Sequence, residues 1–86
     1  SALSKLVQIA VKDHAISLRW ASAKALRKIN CEKATEELLT VLRDNEENYE
    51  IYQNVAEALG KVGSETAIEG LISALKERRA DWKAAK

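Results

Sequence analysis

His14 and Cys31 are the only imidazole and the only thiol in this 86-residue sequence, so nucleophilic or metal chemistry would have to be built around them. A metal site or an acid–base pair needs His, Cys, Asp and Glu converging at ligand or proton-transfer spacing. These two residues fall in different connections between apolar stretches, and no catalytic constellation can be assembled from them. His14 reads as a solvated residue of a connection. Cys31 stands at a helix start, where the positive helix end would favour a thiolate slightly, but with no assured cation beside it the thiol reads as inert. A lone cysteine forms no internal disulfide, and a reducing, cytoplasmic compartment is the expectation. The sequence therefore predicts no catalytic residue, no cofactor-binding residue and no metal ligand.

Recognition is the remaining chemistry, and composition narrows it. Fourteen Lys and Arg against thirteen Asp and Glu leave a net charge of +1, too little to draw nucleic acid or an anionic membrane. No apolar run approaches the roughly 20 residues that span a bilayer. The absence of proline and the 47% hydrophobic content point to a chain that is nearly all helix and forms one small domain over residues 1–86.

Apolar residues recur three and four apart, the helical signature. Leu3, Leu6, Val7, Ala10 and Val11 make a first stripe, and Leu18, Ala21, Ala25, Leu26 and Ile29 a second, ending at Asn30 as a residue that tolerates a left-handed cap. Ala34, Leu38, Val41 and Leu42 make a third, with Glu32, Glu36 and Glu37 near its positive end. Ile51, Val55, Ala58, Leu59 and Val62 follow, stopped by Gly63. A fifth, capped by Ser64, places Ala67, Ile68, Leu71, Ile72 and Leu75 inward and runs to about Arg78. Residues 80–86 then read as the start of a sixth, with Trp82 on its core stripe. Gly60, late in a helix at a cost of about 1 kcal/mol against alanine, suggests close approach of a neighbouring helix.

The stripes repeat. Ala25-Leu26-Arg27-Lys28-Ile29-Asn30 returns 33 positions later as Ala58-Leu59-Gly60-Lys61-Val62-Gly63, and Ala34, Leu38, Leu39 and Leu42 return as Ala67, Leu71, Ile72 and Leu75. The basic period is 31, with two residues added in the loop near Asn45 to Tyr49. A period of this length signifies a solenoid. Leu18-Arg19, Ala21, Ala23, Ala25-Leu26, Ile29 and Leu42-Arg43-Asp44, then Ala58-Leu59-Gly60-Lys61-Val62-Gly63, Ala67-Ile68 and Ala74-Leu75-Lys76-Glu77, resemble the HEAT-like repeats of the phycobilisome-lyase type. Arg27 and Asn30 depart from that pattern's two glycines, and Tyr52 from its arginine. The resemblance implies a right-handed all-α solenoid of stacked antiparallel helix pairs, about five helices plus the start of a sixth. Repeat units would cover about 16–44 and 49–78, with partial units at both ends, as in a fragment of a longer repeat protein. It also implies a non-enzymatic scaffold for another protein or peptide, with a phycobilin chromophore lyase or lyase subunit as the alternative. The di-iron hydroxylases of that family need paired His-Glu motifs, and here His14 precedes Ala15.

In such stacks the second helix of each pair lines the concave side. The resemblance thus points to Lys33, Glu36, Glu37, Thr40 and Arg43, then Thr66, Glu69, Ser73 and Lys76, as the partner-binding surface. Trp20, two residues off the Leu18 stripe, joins them as an interface candidate. Leu6 and Ile9 are apolar where later copies carry Glu37 and Thr40, or Gly70 and Ser73. They suggest either packing under an atypical end or a docking patch, and the terminal repeats suggest self-association through their exposed ends.

Overall fold

The computed structural model describes residues 2–84, with the side chains of residues 2–77. Four helices follow one another: α1 (Ala2–Lys12), α2 (Ile16–Asp44), α3 (Tyr49–Val62) and α4 (Glu65–Ala84), and the described residues include no strand. Five helices and the start of a sixth were expected. The second and third of these are one long α2, and the fifth continues into the sixth as α4.

Local chemistry explains both fusions. At Asn30 the backbone leaves the helix for a single residue (φ −163°, ψ 93°), extended and not left-handed, so the expected cap is absent. The Asn30 Oδ1 accepts the Lys33 N–H at 3.1 Å, which makes Asn30 the N-cap of the helix that follows and lets that helix resume at once. The bend therefore consumes no loop. Between Arg78 and Trp82 stand only helix-compatible residues, with no glycine or proline to interrupt α4. The Trp82 side chain lies outside the described residues.

Where glycine does stand, it acts. Gly63 takes φ 66° and its N–H bonds the Leu59 carbonyl at 3.0 Å, closing α3, a conformation that costs a residue with a Cβ roughly 1–2 kcal/mol. Gly60 does not serve close packing: it is exposed, and a Cβ there would meet nothing within 4 Å. The glycine that admits a neighbour is Gly70, whose missing Cβ would lie 2.7 Å from the Leu39 Cδ2 atom. Gly60, inside α3, and Gly63, its C-cap, consequently predict opposite outcomes. Gly60→Ala raises stability by about 0.5–1 kcal/mol, whereas Gly63→Ala lowers it by roughly 1–2 kcal/mol, read as shifts of the urea midpoint at constant slope.

Packing is sequential. α1 lies against α2 and α3, α2 against α3 and α4, and α3 against α4, while among the described residues α1 and α4 do not meet. Val7, Ala10 and Val11 of α1, Leu26, Leu38 and Leu42 of α2, and Val55, Leu59 and Val62 of α3 form one core. The repeat pair Leu26 and Leu59 is fully buried on both sides. The expected inward stripe of α4 is largely outward. Of that stripe Ala67 alone is buried and Leu71 half-buried, whereas Ile68, Ile72 and Leu75 are exposed, with no element of the described residues over that side. Leu18 and Ile29 of α2 are exposed at the opposite end for the same reason.

Polar contacts fix the joints. The carbonyl end of α1 is held by the Arg19 guanidinium, whose Nη1 donates to the Asp13 and His14 carbonyls at 2.8 and 3.3 Å. Asn54 of α3, buried, donates from Nδ2 to the Val11 carbonyl at 2.8 Å. Helix α2 is tied to α4 by the Thr35 and Ser64 hydroxyls, 3.0 Å apart, while Ser64 also caps α4 by accepting the Ala67 N–H. These contacts give otherwise unpaired helix-end groups their partners.

Candidate protein-binding groove

Helical periodicity decides which candidate residues can meet. On the second half of α2, Lys33, Glu36, Glu37, Thr40 and Val41 line one shallow depression. All but Glu37 and Val41 are exposed, and those two are half-buried. The Thr40 hydroxyl donates to the Glu36 carbonyl at 3.0 Å. On α4, Thr66 and Ser73 lie two turns apart on one side, and Glu69 and Lys76 two turns apart on another; all four are exposed.

Arg43 and Ser73 are brought together across a cleft between α2 and α4 of about 160 Å³. Its walls are Leu39, Leu42 and Ala74, and Tyr52 and Gly70 also line it. Glu46 and Glu77 line it as well, adding two carboxylates to the Arg43 guanidinium. Gly70 lets α4 approach α2 closely at Leu39 beside this cleft. Thr66, Glu69 and Lys76 do not line this cleft.

Trp20 lies elsewhere, on the first half of α2. Its indole Nε1 donates to the Glu57 carboxylate at 3.2 Å, and the Lys61 ammonium lies 4.2 Å from the ring centroid. The ring is 37% exposed and ties α2 to α3 through a hydrogen bond and a cation–π contact, outside the groove. His14 is exposed and Cys31 half-buried beside the Asn30 bend. Among the described residues no cluster of His, Cys, Asp and Glu could hold a metal ion, and no helix is long and apolar enough to cross a membrane.

The sequence reading missed Tyr52, Gly70, Glu46 and Glu77. Gly70 carried a usable signal: it stands where the first copy has Glu37, and a side chain lost from the middle of a helix marks a close approach. Tyr52 stands in the place of Arg19, so the second repeat lines its groove with a phenol where the first uses a guanidinium to hold a helix end.

The packing order and the repeat converge with a family comparison, in which a model of HEAT repeats matches residues 3–85. The chain belongs to the HEAT-repeat family. That match covers α1 to α4 and is to HEAT repeats in general, giving no support to the narrower phycobilisome-lyase type. No curated protein and no solved structure matches the chain. HEAT repeats commonly mediate protein–protein interaction.

Proposed function

We propose that this chain is a non-enzymatic scaffold, a right-handed solenoid that holds another protein or peptide in the groove formed by the second half of α2 and α4. The observation that carries the reading is the cleft between Leu39, Arg43 and Ser73. At about 160 Å³ it compares with an engineered cavity of roughly 150 Å³ that accepts benzene, so one side chain of a partner fits it as an anchor. The charged rim of Arg43, Glu46 and Glu77 then supplies orientation. The flanking depression at Lys33, Glu36 and Thr40 extends the contact along α2.

The lyase alternative draws less support, because an open-chain tetrapyrrole is far larger than this cleft. A specific partner is expected to lose about tenfold or more in affinity when Lys33, Arg43 and Lys76 are all reversed to glutamate, with helical content unchanged by circular dichroism. Retained affinity in the reversed variant defeats the groove reading.

A further inference from the structure

The two ends of the stack carry the same positions of the repeat, uncovered from opposite sides. Ile68, Ile72 and Leu75 of α4 are 38%, 47% and 46% exposed. Their counterparts 33 residues earlier are Thr35, Leu39 and Leu42. Those are buried or half-buried, and α4 itself contributes to covering them, through Ser64 on Thr35 and Gly70 under Leu39. At the other end, Leu18 and Ile29 are 52% and 56% exposed. Their counterparts Ile51 and Val62 pack into the core. Each end thus lacks what the middle of the chain supplies to the equivalent residues.

Charge tells which occupant fits. Over residues 1–30, Lys5, Lys12, Arg19, Lys24, Arg27 and Lys28 stand against Asp13 alone, a local net charge of +5. Over residues 45–70, six glutamates stand against Lys61, a local −5. Lys5, Lys12, Lys24, Arg27 and Lys28 are exposed. Glu65 and Glu69 border the Ile68–Ile72 stripe in the first turns of α4. The sign turns positive again only at the far end of that helix, with Arg78 and Arg79.

We infer that a second copy of this chain docks head to tail, its basic stretch over residues 1–30 on the acidic stretch over residues 45–70. Ile68, Ile72 and Leu75 of one copy then lie against the uncovered Leu18 and Ile29 of the next. Leu6, half-buried, packs against the core of its own chain and takes no part. Such a contact is heterologous, with different patches on the two partners, so it propagates and does not close at a dimer. It uses residues outside the groove cleft and does not rest on the binding reading.

Sedimentation of the 86-residue chain over a wide concentration range tests the assignment. The mean mass rises with concentration past that of a dimer, and falls as salt screens the ends. Leu18→Glu blocks one end and Ile72→Glu the other; both sites are about half exposed in the single chain, so helical content is retained. Each variant alone weakens association by at least about tenfold, whereas an equimolar mixture forms one dimer and nothing larger, because one sound face remains on each. A wild-type chain that stays monomeric, a species that stops at a closed dimer, association that survives either substitution, or an inert mixture each overturns the proposal.

Discussion

Replacing Leu38 by alanine will lower the melting temperature by about 10–30 °C. Leu38 is fully buried at the centre of the α2 surface that faces the rest of the core, and truncating such a leucine costs about 2–5 kcal/mol through lost burial and the space left behind. A chain of this length has roughly 4–13 kcal/mol of stability in total, and 1 kcal/mol moves the midpoint by about 4–8 °C at this size. Leu71, its counterpart one repeat later, is only half-buried. Leu71→Ala should therefore cost about half as much. Thermal melts followed by circular dichroism compare the two, and equal losses would contradict the asymmetric core described above.

The second large effect falls on a polar residue. Asn54 is 8% exposed and donates to the Val11 carbonyl at 2.8 Å, across the boundary between α3 and α1. Asn54→Ala strands a carbonyl at the end of α1 inside the packed interface, at a cost of about 1–3 kcal/mol. The expected result is a lower urea midpoint at unchanged slope, together with faster amide exchange along α1. No loss of stability would mean that water reaches the Val11 carbonyl once the amide is gone.

Asn54 also marks a limit of legibility. Apolar periodicity placed helix over all four elements, although divided into five and the start of a sixth, and found the loop near Asn45 to Tyr49 and the stop at Gly63, because these depend on local spacing and backbone freedom. It could not foresee that Asn54, opposite Ala21 in the other copy, would reach another helix end. Nor could it separate Ile68, Ile72 and Leu75 from core positions. A stripe on a helical wheel shows which residues share a side, and what lies opposite that side is decided by neighbours distant in sequence. Asn30 failed for a different reason: an Asx cap and a left-handed cap draw on the same residue type, and the choice depends on whether the chain turns away or carries straight on. For the candidate groove, the resemblance to HEAT-like repeats is what singled out the charged outer residues. The cleft was not foreseen, since it depends on how α4 meets α2, and Trp20, the expected interface residue, also braces Glu57 and Lys61 within the chain.

The linear order of packing has a mechanical consequence. With no contact between α1 and α4 among the described residues, no closing contact there locks one helix to the other, so bending can be distributed over successive joints. The joints differ in stiffness. Arg19 and Asn54 clamp the α1 end with three directed bonds, whereas the described side chains of α4 add only Ala67 to the fully buried set. A pull on the chain's two ends should peel α4 away first, leaving α1 to α3 as a resistant spring.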